Sequence, residues 1–141
     1  MGNNWSLTNI PDLKGKAIIV TGGNSGLGYW SVKAFAENGA DVILASRSRE
    51  NGEKAKEEIL KQVSDGNIEV AELDLTDLES VHEFAKTFRQ KHDKLDVLLN
   101  NAGIMTTPYF TTKDGFEGQV GTNHLGHFAL TGLLLDHIQK T

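Results

Sequence analysis

A glycine-rich turn in the sequence has the residue types and spacing that bind phosphate. Residues 21–28 read Thr-Gly-Gly-Asn-Ser-Gly-Leu-Gly and directly follow a short apolar run. Gly22 allows a tight turn, Gly26 lets backbone N–H groups approach a pyrophosphate at the start of a helix, and Gly28 lets that helix pack closely. A plain glycine-rich turn is the alternative, and the position between a strand and a helix disfavours it. The predicted phosphate-binding residues are Gly22, Asn24, Ser25, Gly26, Leu27 and Gly28.

Ser46 and Arg47 follow the second apolar run, where they could bind a second phosphate group. A guanidinium at the carboxyl end of the second strand can hold the 2′-phosphate of a dinucleotide through a charge-assisted contact. Asp41 opens that strand and therefore lies at the opposite end of the sheet, away from the ribose. Arg47 thus favours NADP(H) as the cofactor, with NAD(H) as the other candidate. The alternative is that Arg47 and Arg49 are solvated surface residues.

The third and fourth apolar runs also end in residues suited to a nucleotide. The carboxylate of Asp74 can accept a hydrogen bond from the adenine amino group, whereas the alternative is a helix-entry aspartate that works with Thr76. Asn100 ends the fourth run, where its amide can tie neighbouring strands together. Two small residues just beyond it let a ribose approach the backbone. The candidates at these positions are Asp74, Leu75, Asn100, Ala102 and Gly103.

These residues need a scaffold, and the sequence supplies apolar strands that alternate with helical patterns. This alternation predicts an α/β fold of parallel strands joined by right-handed crossovers, with helices on both faces. The expected architecture is a Rossmann-like doubly wound parallel sheet of four βα units in the strand order 3-2-1-4. Strands are predicted at residues 16–20, 41–45, 67–73 and 95–99, and helices at 27–38, at 50–63, after a capping box at 76–79, and at 116–139.

Composition limits the class of protein. The 141 residues are 38% hydrophobic and 23% charged, which fits a single domain, with residues 1–12 expected to form an N-terminal arm. A formal net charge of −5 disfavours nucleic acid as a partner. Without cysteine, a membrane-length apolar run or an apolar leader, a cytoplasmic protein is predicted. His124 and His127 stand three residues apart without further ligands, so no metal site is predicted.

The motifs taken together resemble the short-chain dehydrogenase/reductase family. Thr-Gly-x-x-x-Gly-x-Gly at residues 21–28, Asp-Leu at 74–75, Asn-Asn-Ala-Gly at 100–103 and a helix asparagine, Asn123, follow the family's order over nearly all of residues 13–140. Residues 123–128, Asn-His-Leu-Gly-His-Phe, look most like the retinol dehydrogenase and WW-domain oxidoreductase branch. The resemblance implies an oxidoreductase that moves hydride between NADP(H) and an alcohol or carbonyl compound.

Asn123 is the candidate catalytic residue of this chain. The resemblance implies that it holds a water molecule that continues a proton relay from the catalytic lysine. The alternative is a buried amide that is satisfied by protein groups. It belongs to the predicted inner stripe of the last helix, which consists of Phe116, Val120, Asn123, His127, Leu130 and Leu134.

The resemblance also implies residues that this sequence lacks. In the family a serine orients the substrate carbonyl, and a tyrosine transfers the proton with the help of a lysine four residues later. Tyr29 and Tyr109 each precede a lysine at that spacing, but Tyr29 lies on the phosphate-side helix and Tyr109 lies in a loop. The chain is therefore expected to be an N-terminal half-domain that is inactive alone, with a small-molecule substrate only if it is completed. A truncated NADP-dependent oxidoreductase, a non-catalytic dinucleotide-binding half-domain and a truncated gene product stay open.

The chain is also expected to self-associate. With the fourth strand at the end of the sheet, residues 95–99 leave backbone groups unpaired along an apolar edge. The last helix carries more apolar surface than its inner stripe uses, and such a patch favours association with another chain. The additional apolar residues of this helix are Leu125, Phe128, Leu133 and Leu135.

Overall fold

Four short strands form one parallel sheet in a computed structural model, which describes residue 2 and residues 4–141. The sheet has the order β3-β2-β1-β4, as the sequence predicts. In the register, Ile19 of the central strand lies opposite Ile43 on one side and Leu98 on the other. Because β1 and most of β2 are buried by helices on both faces, their sequences are nearly continuous apolar runs. The strands are β1 (Ala17–Thr21), β2 (Asp41–Ser46), β3 (Asn67–Glu72) and β4 (Val97–Leu99).

The helices cover the two faces of the sheet and enclose two apolar cores. Ile18 and Val20 of β1 point to one core, which also contains Val32 and Ile59. Ile19 points to the other core, which contains buried side chains from the third helix and the last one. Among the described residues, no helix is both long and apolar enough to cross a membrane. The helical elements are a 3-10 turn (Leu7–Asn9), α1 (Gly26–Glu37), α2 (Arg49–Gln62), α3 (Leu78–Lys91), α4 (Gly118–Val120), a π-helical segment (Gly121–Gly126) and α5 (His127–Lys140).

Helix α3 does not begin with the capping box predicted from Thr76. Asp77 is its N-cap, and the Asp77 carboxylate accepts the backbone N–H of Glu79 at 3.0 Å. Thr76 is engaged elsewhere, since its N–H and its hydroxyl both donate to Oδ1 of Asp74, at 2.9 and 2.7 Å. The prediction was wrong because Thr76 and Asp77 both have side chains that can cap a helix. Asp74 binds Thr76, which leaves Asp77 as the cap.

The last helix begins later than predicted and changes its pitch. The Glu117 carboxylate accepts the N–H groups of Gln119 and Val120 at 3.0 and 2.9 Å, so the helix starts at Gly118 rather than at Phe116. The π-helical segment that follows has more residues per turn, which rotates the earlier side chains relative to the later ones. The predicted inner stripe is therefore correct only in its second half. Phe116, Val120 and Asn123 are exposed, whereas His127, Leu130 and Leu134 are buried.

Candidate functional site

A cleft of about 450 Å³ opens where the four strands end. Parallel strands present all their carboxyl ends at one edge, so the glycine turn and the segments after β2, β3 and β4 meet there. Gly26, Gly28, Asn100 and Asn123 do not line the cleft, although they stand beside residues that do. The residues predicted from the sequence that line it are Gly22, Asn24, Ser25, Leu27, Ser46, Arg47, Asp74, Leu75, Ala102 and Gly103.

The glycines of the turn adopt backbone conformations that other residues rarely take. Gly22 and Gly26 have φ values of +64° and +58°, in the left-handed region. A Cβ built on Gly26 would meet no atom within 4 Å, so the space before the N-terminus of α1 is open to an anion. A Cβ built on Gly28 would lie 2.2 Å from the carbonyl oxygen of Gly22. Gly28 therefore serves the close packing of the helix against the turn.

Thr21, at the end of β1, holds the segment that follows β4, residues 101–104, which forms one wall of the cleft. Its hydroxyl oxygen accepts the backbone N–H groups of Asn101 and Ala102, each at 3.0 Å. The side-chain amide of Asn101 donates to the Thr21 carbonyl at 2.9 Å. Asn101 rather than Asn100 thus ties β1 to this wall, and the prediction that the Asn100 amide ties neighbouring strands together was wrong. Asn100 is exposed and donates to the Thr131 hydroxyl at 3.1 Å, because consecutive residues of an extended chain face opposite sides.

Asn123 is bound to the same wall at its last residue, Ile104. Its Oδ1 accepts the N–H of Ile104 at 2.8 Å, and its Nδ2 donates to the Ile104 carbonyl at 2.8 Å. A Cβ on Gly103 would come within 3.5 Å of the same Oδ1. The side chain is exposed, so it is not the buried amide of an apolar stripe. Protein groups nevertheless engage both of its polar atoms, which is the structural role that the sequence left open.

His127 occupies a buried position between β1 and the π-helical segment and is 6% exposed. Its Nε2 lies 2.8 Å from the Thr21 hydroxyl, and its Nδ1 lies 3.0 Å from the carbonyl oxygen of Asn123. Burial lowers the pKa of the ring, although the bond to the Asn123 carbonyl opposes that shift. Both ring nitrogens therefore lie within hydrogen-bond distance of protein groups, whereas the neighbouring His124 is exposed.

The two arginines after β2 face different surroundings. Arg47 is exposed and lines the cleft, and within the described ranges it has no carboxylate at ion-pair distance. Arg49 lines a separate cavity of about 330 Å³ between β3 and α3, and its guanidinium lies 3.8 Å from the Glu53 carboxylate. The sequence predicts Arg47 rather than Arg49 as the residue near the 2′-phosphate, and of these two arginines only Arg47 lines the cleft.

Further residues line the cleft that sequence reasoning did not single out. Asn51 lies in the first turn of α2, where its N–H donates to the Ser48 hydroxyl at 3.2 Å, and this capping pattern was visible in the sequence. The others are ordinary strand, loop or helix residues whose proximity only the fold establishes. The full additional set is Thr21, Ser48, Asn51, Leu73, Thr76, Asn101, Ile104, Phe110 and Thr122.

The hydroxyl of Thr122 is buried and has no hydrogen-bond partner among the described residues. We expect Thr122→Val to raise the free energy of unfolding by about 1 kcal/mol, because valine keeps the shape and removes an unsatisfied polar group. Thr112→Val is the matched control. Thr112 is equally buried, but its hydroxyl accepts the Phe116 N–H at 3.1 Å, so this change should lower stability by about 1 kcal/mol. Urea denaturation followed by circular dichroism measures both, and equal effects would contradict the assignment.

A parallel sheet in the order 3-2-1-4, with a glycine turn and an arginine at the ends of its strands, defines a Rossmann-type dinucleotide-binding fold. The chain belongs to the short-chain dehydrogenase family, whose model matches residues 16–141. It is 45% identical over 134 residues to retinol dehydrogenase 11 from Homo sapiens, covering 95% of this chain and 42% of that protein. The relatives it matches also include retinol dehydrogenases 12 and 13, which confirms the resemblance to that branch.

Solved structures agree with this assignment. An uncharacterised protein from Mycobacterium Paratuberculosis superposes with a TM-score of 0.84 at 47% identity, covering 96% of this chain and 47% of the other. A short chain dehydrogenase from Escherichia coli CFT073, complexed with NADPH, gives a TM-score of 0.76 at 26% identity, covering 92% and 56%. This chain spans 39–42% of the length of the first curated relatives that it matches.

Proposed function

We propose that this chain binds NADP(H) as the dinucleotide-binding part of an oxidoreductase that transfers hydride between NADP(H) and an alcohol or carbonyl compound. The observation that carries the proposal is the cleft, in which an open glycine turn lines the same space as Arg47, a residue without a carboxylate at ion-pair distance among the described residues. The Escherichia coli relative complexed with NADPH supports the choice of cofactor. NAD(H) stays the alternative.

The residues present fit such a cofactor. A Cβ on Gly26, the first residue of α1, would meet open space, so a pyrophosphate can approach the N-terminal amides of this helix. Arg47 can hold a 2′-phosphate, and Asp74 has one carboxylate oxygen beyond the Oδ1 that Thr76 occupies, with which it can accept from adenine. Ala102 and Gly103 form the wall that a ribose would approach. When bound, the nicotinamide ring supplies or receives the hydride, and these residues bind and orient it.

Calorimetric titration of the chain with NADPH and with NADH tests the proposal. We expect saturable binding of both, with NADPH tighter by at least tenfold. Binding of neither dinucleotide would contradict the proposed function as a whole. Equal affinities would contradict the preference for NADP(H) and leave a chain that binds both dinucleotides.

Two statements about this chain stay predictions: that it is a half-domain, and that it is inactive alone. Tyr29 packs in the apolar core, and Tyr109 is 78% exposed in the loop after β4. Neither lines the cleft among the described residues, so hydride transfer by this chain alone is not expected. An assay of NADPH oxidation with ketones and aldehydes checks this. Turnover that disappears in Tyr29→Phe or Tyr109→Phe would contradict it.

The single domain at residues 1–141, the arm at 1–12 and the cytoplasmic location likewise stay predictions.

We also propose that the chain self-associates through the free edge of β4 and the outer face of α5. Among the described strands, β4 pairs only with β1, and Val97 is exposed on it. Phe128 is 73% exposed, and Leu135 is exposed beside it on the same helix, while Leu125 and Leu133 are half-buried. Light scattering over a concentration series should show a mass above that of one chain. A monomer at high concentration that binds no hydrophobic dye would contradict the proposal.

A further inference from the structure

One turn of the last helix holds the cleft wall at both of its ends. The wall runs from Asn101 to Ile104, and Asn123 holds its far end through the backbone of Ile104. Its near end is held by the Thr21 hydroxyl, which in turn meets the ring of His127. The two attachments are linked, because His127 Nδ1 lies 3.0 Å from the backbone carbonyl oxygen of Asn123.

The hydrogen atoms in this chain of contacts can be assigned from the chemistry of the partners. A carbonyl oxygen only accepts, so His127 Nδ1 must carry the proton that is donated to Asn123. The neutral ring then presents a bare Nε2, which accepts the Thr21 hydroxyl proton at 2.8 Å. The two lone pairs of the Thr21 oxygen are left for the two backbone N–H groups of the wall. The Thr21 hydroxyl thereby donates one hydrogen bond and accepts two.

We propose that His127 is a positioning residue for the dinucleotide, acting through Thr21 on the wall at residues 101–104; this inference rests on the proposed function. The ring fixes the direction of the Thr21 hydroxyl, and that direction aims both lone pairs at the wall. Without this acceptor, the hydroxyl proton has only the Leu99 carbonyl, at 3.4 Å, to which it can turn. The lone pairs of the oxygen then turn away from the backbone amides of Asn101 and Ala102, and the near end of the wall keeps only the bond from the Asn101 side chain to the Thr21 carbonyl.

The first test compares two substitutions of the same ring. His127→Phe keeps a flat side chain and removes the acceptor, so we expect NADPH to bind about tenfold more weakly at pH 7.5. His127→Gln places an amide oxygen near the position of Nε2, so its affinity should stay within about threefold of the parent. His124→Phe, at an exposed histidine three residues earlier, is the matched control and should leave the affinity unchanged. All titrations are made at a temperature at which circular dichroism shows each variant folded.

The outcomes separate this inference from the proposed function. If His127→Phe lowers the melting temperature but binds NADPH as tightly as the parent, the residue is only structural and the inference is wrong. If the parent binds neither dinucleotide, the proposed function fails instead. A double-mutant cycle adds a second criterion, since His127→Phe should weaken binding by less than about twofold when Thr21 is already valine. A full tenfold loss in that background would contradict action through Thr21.

The unsubstituted protein provides a test that does not depend on any variant folding. Nitrogen-15 NMR of the histidine rings distinguishes a proton on Nδ1 from one on Nε2. We expect the His127 ring to be neutral and protonated on Nδ1 at pH 7.5. A ring protonated on Nε2, or on both nitrogens, could not accept the Thr21 hydroxyl and would overturn the inference.

Discussion

Replacing Gly28 with alanine is expected to lower the free energy of unfolding by about 3 kcal/mol and to abolish dinucleotide binding. The new Cβ would lie 2.2 Å from the carbonyl oxygen of Gly22 and 2.5 Å from the side-chain nitrogen of Asn101. The first contact is with backbone, which cannot move aside as the end of a flexible side chain can. The glycine turn must therefore shift away from the helix. Because the amides at the start of α1 form the phosphate site, the same shift removes the binding geometry.

Gly132 provides the matched control for this substitution. It lies in α5, and a Cβ built on it would meet no atom within 4 Å. Gly132→Ala is therefore expected to raise the free energy of unfolding by about 0.5–1 kcal/mol, because alanine favours a helix more than glycine does. Urea denaturation measures stability, and calorimetry with NADPH measures binding. If both variants were as stable as the parent and bound NADPH equally well, the packing account of Gly28 would be wrong.

The order of the strands and the identity of the turn could be predicted because they depend on local patterns. Apolar runs bounded by turn residues alternate with helical periodicity, and this alternation has few topological solutions. The glycine turn is a contiguous motif, so its position follows once β1 and α1 are assigned. The same reasoning brought Ser46, Asp74 and Ala102 to one edge of the sheet, where the structure places them.

The contacts that hold the cleft wall could not be predicted in this way. Thr21 and His127 are 106 positions apart, and no periodicity in the sequence relates them. The choice between Asn100 and Asn101 depends on where β4 ends and on which side each residue then faces. The predicted inner stripe of the last helix was wrong in its first half, because the prediction assumed one constant pitch and the π-helical segment has a different one. Each of these features arises from packing between elements that are distant in sequence.

The sequence predicted a basic residue at the cleft, but it did not predict the surroundings of the second arginine nearby. Arg47 and Arg49 lie two positions apart in one short connection, and both are basic and exposed. The sequence predicts Arg47 as the residue that holds a 2′-phosphate, and it leaves open that both arginines are solvated surface residues. The start of α2 turns Arg49 toward Glu53 and the cavity beside β3, while Arg47 remains at the cleft. Substitutions of these two arginines can therefore be compared directly in one experiment.

Arg47→Ala is expected to weaken NADPH binding by roughly 10–100-fold and NADH binding by less than about threefold. A charge-assisted hydrogen bond contributes roughly 1.5–3 kcal/mol, which corresponds to that range of affinity, and only NADPH carries the 2′-phosphate. Calorimetry at one fixed, low ionic strength measures both, since salt screens an exposed contact. Arg49→Ala removes the same charge two positions away and should leave both affinities within about twofold, because its guanidinium faces Glu53. If the two variants lost NADPH affinity equally, net charge rather than a specific contact would set the preference.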